Sequence, residues 1–281
     1  MVHLGGVSVP ERSAAHVFVS DVSSVPIGIS SRDVHHLADV LRLRDGETVT
    51  ASDGRGGWRR CAFRWRGSGS VPCNDFSGED CVLEPIGQVE MSERPLPLIT
   101  VGFSLLKGER NEWVVQKLTE LGVDKMVPLV ANRTVVRWDA QRTRRQMLRL
   151  RTVAREAAMQ ARRVWLPQVC DPGPVSEAAG LLGATPSKIA MLDRSGGSIS
   201  LAASAAVLVG PEGGWSSEEL SMGFHLVAVC GTVLRSETAA ISAAAILGGL
   251  RSGAILGTRV GEPPQPRVQP ERLHPQCDKL S

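Results

Sequence analysis

The stretch "VLVGPEGGWSSEEL", Val207 to Leu220, decides how the chain is read. Val207 to Val209 form an apolar run, Gly210 to Gly214 a glycine-rich turn, and Ser216 with Glu219 the capping-box signature of a helix start. Strand, glycine loop and helix in that order belong to an open α/β sheet, where ligands bind outside the carboxyl ends of the strands. The loop has neither a Walker lysine nor a G-x-G-x-x-G spacing, and Glu212 would repel a phosphate. A ligand other than phosphate is indicated, with a purely structural glycine turn as the alternative.

About twenty residues further on, a second apolar run ends in "VCGTVLRSETAA", Val229 to Ala240. Gly231 is expected to free the backbone, Arg235 and Glu237 sit close together, and Thr238 leads into a helix of small residues. Two neighbouring strand ends, each with exposed backbone and one carboxylate, suit a ligand with a planar base and a positive centre. Backbone groups can read the base edge, while Glu212 or Glu237 attracts the cation in a partly dehydrated site. S-adenosyl-L-methionine is such a ligand. A buried Glu–Arg pair that merely ties the two loops together fits the same residues.

Working outward, "PLITVGFSLL" (97–106) predicts a buried strand, "ERNEWVVQKLTELG" (109–122) a helix closed by Gly122, and "KMVPLVA" (125–131) the next strand. A long helix is expected from about Ala140 to Arg163, with Met147, Leu150, Ala154, Ala157 and Ala161 along one face. Strands "KIAMLD", "AAVLVG" and "HLVAVCG" and a terminal helix "TAAISAAAILGGL" complete an α/β domain with a mainly parallel sheet over 95–256. Residues 1–90 read instead as a small barrel-like β module. Hairpin signals stand at Asp53-Gly54 and Gly56-Gly57, and one helix starts at Ser30 or Ser31 with Val34, Leu37 and Leu41 at helical spacing. The Pro-rich end, 257–281, is expected to be a disordered tail.

The chain of 281 residues carries a net charge of only +3, so any nucleic-acid argument must rest on local clusters. Between Arg137 and Arg163 stand nine arginines against two acids, and Arg144, Arg151, Arg155 and Arg162 share a helical face. A solvated helix surface is the usual reading; arginine with so few nearby acids favours contact with a phosphate backbone. In "WRRCAFRWR" (58–66), Cys61, Phe63 and Trp65 alternate with Arg60, Arg64 and Arg66. This is either an edge strand kept soluble by charge or, with an exposed Trp58, a surface for single-stranded RNA. Six scattered cysteines without metal-ligand spacing, no secretory leader and no apolar run of about 18 residues suggest a cytoplasmic protein without structural metal.

Four segments in order, "KGERNEWVVQKLTELGVDKMVPLVANRTVV", "REAAMQARRVWLPQV", "VGPEGGWSSEEL" and "VLRSETAA", resemble signatures of the bacterial methyltransferases that modify N3 of a uridine in 16S ribosomal RNA. The N-terminal "HHLADVLRLRDGETVTASDGRG" is similar to that family's RNA-binding module, and the resemblance spans about residues 12 to 256. It implies an N-terminal PUA-like β-barrel followed by a SPOUT α/β domain with a C-terminal trefoil knot, active as a homodimer. Carried over, it implies that S-adenosyl-L-methionine is bound by Leu192, Gly210, Pro211, Glu212, Gly213, Val229, Gly231, Val233, Leu234, Thr238 and Ala239. Arg235, Glu237 and Glu212 become the catalytic candidates, and Arg60, Arg64, Arg133, Arg162 and Arg163 the contacts to 16S rRNA. At "VCGTVLR" the chain departs from the family pattern, with Cys230 where glycine is expected or one residue missing. A non-catalytic RNA-binding assembly factor on the same fold is the rival reading, and S-adenosyl-L-methionine binding would separate the two.

Overall fold

A computed structural model describes residues 13–66 and 81–255. The Pro-rich tail expected at 257–281 lies outside the described residues, as do Cys73 and Cys277.

The N-terminal part is a mixed six-stranded sheet. It contains β1 (Ala15–Phe18), β2 (Ile27–Gly28), β3 (Thr48–Ser52), β4 (Gly57–Trp65), β5 (Cys81–Pro85) and β6 (Glu90–Met91), in the order β1-β3-β4-β5-β2 with β6 on β4. The β1–β3 pair is parallel and the others antiparallel. Alternation along β4 puts Cys61 and Phe63 in the core and leaves Arg60 exposed, as the sequence predicts. Two details differ. β4 is paired on both sides and is no edge, because the sheet continues through β5. Trp58 is buried, its indole N–H donating to Ser92 Oγ at 3.0 Å, so it offers no stacking face.

Helix α1 (Ser31–His35) is capped by Ser30 and runs into a wider turn over His36–Val40. Val34 and Leu37 enter the core, but Leu41 is 42% exposed. The Leu41 N–H bonds back to His36 O, five residues earlier, and this extra residue in the turn rotates Leu41 off the helical face.

Every pair in the second sheet is parallel. Its strands are β7 (Thr100–Ser104), β8 (Lys125–Val130), β9 (Gln168–Val169), β10 (Gly173–Pro174), β11 (Ile189–Ser198), β12 (Ala206–Val209) and β13 (His225–Ala228), ordered β10-β8-β7-β12-β11-β13 with β9 on β8. Helices α2 (Arg110–Glu120), α3 (Ala140–Gln160), α4 (Ala178–Leu182), α5 (Ser217–Leu220) and α6 (Ser236–Ser252) surround it. One core joins Ile99, Val101, Phe103 and Val207 to Val114, Leu118, Met147, Leu150, Ala244 and Leu247 of the helices. The small residues Ala240, Ala243 and Ala244 of α6 thus pack into their own chain.

The two parts share structure. Ala158 and Met159 at the end of α3 belong to the core of the N-terminal sheet. Arg155 forks onto Asp33, with Nη1 to Oδ1 and Nη2 to Oδ2 both at 2.8 Å, and Asp33 is 2% exposed. Gly56 N–H donates to Val164 O and Leu166 N–H to Gly54 O across the same junction.

Beside this junction lies His16, 5% exposed and bonded through Nε2 to Ser52 Oγ. Burial, and then the charges of Arg162 and Arg155, lower its pKa from 6.5 to about 4. The unfolded chain therefore takes up a proton that the folded one refuses between these two values, and stability falls as the pH falls through that window. The loss amounts to roughly 3 kcal/mol at full span. Urea midpoints measured between pH 7 and pH 4 are expected to fall, and His16→Gln to flatten that dependence.

Candidate active site

The crevice lies at the carboxyl ends of β12 and β13 and beside the middle of β11, where its register breaks after Leu192. Gly210 to Gly214 leave β12 in a turn that Gly214, at φ +69°, can adopt because it lacks a Cβ. Trp215 folds beneath this turn, 5% exposed, its indole N–H donating to Leu192 O at 2.9 Å. A Cβ on Gly210 would lie 2.9 Å from the Trp215 ring, so glycine is what lets the loop sit there. Ser236 Oγ donates to Gly210 O at 2.8 Å and joins the loop to the start of α6. The capping box at Ser216 and Glu219 is present, and Glu219 Oε1 also accepts from Asn132 N–H, which ties the loop after β8 to the site.

These loops enclose a cavity of about 370 Å³. Among the cofactor candidates, Leu192, Gly210, Pro211, Glu212, Gly213, Val229, Val233, Leu234 and Ala239 line it. Gly231 and Thr238 do not; both are exposed. Gly231 has no positive φ, and a Cβ there would meet nothing within 4 Å, so the expected backbone freedom is not used. Cys230 lines the wall instead, its Sγ 3.4 Å from Thr232 O. Asp193, Arg194, Trp215 and Ser236 are lining residues that the sequence reading passed over. Asp193 and Arg194 carried a comparable signal in the sequence, a polar pair directly after the apolar run Ile189–Leu192.

The two candidate carboxylates are brought together, though not by Arg235. Arg110, at the first turn of α2, extends Nη1 to Glu212 Oε1 at 2.7 Å and to Glu237 Oε1 at 3.4 Å. Its hydrogen bond and charge hold the Glu212 carboxyl below the usual carboxylate range, with Arg235 and Lys107 adding to the field. Glu237 is 7% exposed, and its buried Oε2 has no hydrogen-bond partner. Arg235 is exposed and precedes α6 as its N-terminal flanking residue.

Most of the arginines chosen as RNA contacts have protein partners. Arg64 pairs with Asp45 and Glu84, and Arg133 Nη1 donates to Gly213 O at 3.0 Å, bracing the glycine loop. Arg162 donates to Ser13 Oγ and O, so it belongs to the junction between the two sheets. Arg163 donates to Thr119 O and Val123 O and faces Asp124, with only 13% of its side chain exposed. Arg60 is exposed. The local excess of arginine is thus answered in part by acids distant in sequence: Arg149 pairs with Glu112, Arg151 with Asp171 and Arg155 with Asp33.

Comparison with known proteins agrees with this architecture. The model of an RNA methyltransferase domain matches residues 92–248, and that of an RNA methyltransferase PUA domain matches residues 29–63. Ribosomal RNA small subunit methyltransferase E of Synechocystis sp. is 31% identical over 230 residues, covering 76% of this chain and 69% of that protein. The protein of that description from Mycobacterium tuberculosis is 32% identical over 231 residues, covering 77% and 84%. A Legionella pneumophila methyltransferase solved with bound SAM is similar at TM-score 0.69 and 25% identity, over 84% of this chain and 97% of that one. Ribosomal RNA small subunit methyltransferase E of Neisseria gonorrhoeae has the same fold, at TM-score 0.68 and 23% identity over 84% and 97% of the two chains. Sheet, crevice and domain matches together define an RNA methyltransferase. Within that class, the chain belongs to the ribosomal RNA small subunit methyltransferase E family.

Proposed function

We propose that this protein methylates N3 of a uridine in 16S ribosomal RNA, with S-adenosyl-L-methionine bound between the two loops, and that it works as a cytoplasmic homodimer. The observation that carries the reading is the two-walled cavity, which Glu212 lines and beside which Arg110 couples Glu212 to Glu237, itself outside the lining. The cavity's volume of about 370 Å³ suits a small-molecule ligand, and Glu212 places in its wall a carboxylate whose charge is shared with Arg110. Bound there, S-adenosyl-L-methionine would supply an electrophilic methyl group on a sulfonium sulfur. Leu192, Gly210, Val229 and Leu234 would hold it through backbone and apolar contacts.

The chain's own residues then have separable tasks. N3 of uracil carries a proton at neutral pH, and Glu237, outside the lining but in the same turn of α6 as the lining residues Ser236 and Ala239 and with a buried, unpartnered Oε2, would accept it. Arg110 stabilises the ionised form of Glu212 and so weakens it as a base. Arg110 fixes both carboxylates, and Arg235 would offset negative charge that spreads onto the uracil oxygens. The base must be unpaired or turned out of its stack to present N3.

The same reading takes the N-terminal sheet to close as a PUA-like barrel and the C-terminal segment to be threaded as a SPOUT trefoil knot. In support, β13 lies against β11 on both sides of a register break between Leu192 and Gly197. Val233, apolar and 72% exposed at the cavity rim, is surface that a second copy would cover. Among the described residues no helix is long and apolar enough to cross a membrane. Mass spectrometry of 16S rRNA from cells with and without the protein tests the function. Loss of one N3-methyluridine is expected, and an unchanged modification pattern would overturn the reading.

A further inference from the structure

Of the nine arginines between Arg137 and Arg163, four take part in no ion pair among the described residues: Arg137, Arg142, Arg144 and Arg145. All four lie just before α3 or in its first two turns, where the helix dipole disfavours cations. Arg137 Nη1 donates to Thr134 O at 2.5 Å and Val136 O at 3.2 Å and so braces its own loop; fold stability gives no such reason for Arg142, Arg144 and Arg145. Arg137 and Arg142 line, together with Lys107, a cavity of about 410 Å³ whose walls hold no carboxylate. A larger groove between the two sheets, about 810 Å³, has Asp33, Glu109, Glu112, Glu120 and Glu156 in its walls and is poorly suited to a polyanion.

The cationic cavity adjoins the carboxylate pair. Arg110 Nε donates to Lys107 O at 3.3 Å, while its Nη1 reaches Glu212 and Glu237. A single guanidinium therefore separates the two sites. Asn111, 2% exposed, fixes the turn from which Lys107 projects by accepting from Leu106 N–H at 2.9 Å and donating to Leu106 O at 2.7 Å.

A uridine within an RNA strand brings a phosphodiester on either side of its ribose, so a charge must lie close to wherever its base is placed. We propose that the cavity bounded by Lys107, Arg137 and Arg142 seats a phosphodiester adjoining the target nucleotide of single-stranded RNA. This rests on the methyltransferase reading above. Such contacts fix register and orientation without reading sequence, and here they would hold the strand so that the base reaches the carboxylates.

The test uses 16S rRNA from cells lacking the protein and compares wild type, Lys107→Ala/Arg142→Ala, and the control Arg144→Ala/Arg145→Ala, whose residues lie outside the cavity walls. Absence of methyl transfer by the wild type would sink the methyltransferase reading itself; the remaining outcomes concern the cavity. The Lys107/Arg142 variant is expected to raise KM for RNA about tenfold, and to reduce the salt slope of log(kcat/KM) by about 1.4, for two contacts at about 0.7 each. Affinity for S-adenosyl-L-methionine by calorimetry should stay unchanged, and the control should change KM and slope less. Unchanged KM and slope would overturn the proposal. So would loss of cofactor affinity, which would make these residues supports of the neighbouring pocket.

Discussion

Replacing Glu237 by Gln is expected to slow single-turnover methylation by about a hundredfold or more, the scale of a lost general base. Gln keeps the shape of the side chain and can still accept from Arg110, so the pocket should survive. Binding of S-adenosyl-L-methionine, measured by calorimetry, checks that it does. Glu212→Gln should have a smaller effect on the chemical step, because Glu212 is already held ionised by Arg110 and makes a poor proton acceptor. Glu237→Asp should recover part of the rate. A Glu237→Gln enzyme with full single-turnover rate and normal cofactor affinity would rule out the carboxylate as the base.

Asp124→Ala is expected to destabilise the fold by about 3–5 kcal/mol, the range found when one partner of a buried ion pair is removed. Asp124 is 2% exposed and accepts from Ile99 N–H at 2.9 Å at the entrance to β7. Arg251 from the end of α6 donates to it, and Arg163 from beyond α3 lies at 3.6 Å. Burial already lowers the Arg163 pKa to about 10, even with Asp124 opposing the shift. Without the carboxylate, two guanidinium groups would remain in a dry site, and three elements would lose their common anchor. Urea titration followed by far-ultraviolet circular dichroism reads the change directly. A loss below about 1 kcal/mol, the scale of an exposed pair, would mean that the cluster is better solvated than its burial indicates.

How far the sequence could be read depended on the range of the interactions involved. Glycine loops, the Ser216–Glu219 box and the strand-helix alternation are local, so "VLVGPEGGWSSEEL" identified one wall of the cavity and "VCGTVLRSETAA" the other. Arg110 was out of reach. It stands 102 residues from Glu212 and 127 from Glu237, at a helix start that reads as ordinary surface. The same limit left the arginine count undivided, since a window of sequence shows charges and hides the acids that fold against some of them. Arg155 meets Asp33 across 122 residues. Trp58 failed for a related reason: alternation gives the face of a strand, but whether that face is covered depended on Ser92 and the following chain.

The fork of Arg155 on Asp33, together with Ala158 and Met159 seated in the N-terminal core, has a mechanical consequence. A module on a flexible tether presents itself at an effective concentration that changes with tether length. Here the N-terminal sheet is bolted to the helix whose opposite end carries Arg142, so the span from module to crevice behaves as the arm of a caliper. Under the proposed function, RNA held by the module would meet the crevice at one reach and one angle, set when the chain folds and independent of the connecting segment. Selection of the target nucleotide would then rest on its distance from the held structure as much as on the neighbouring bases.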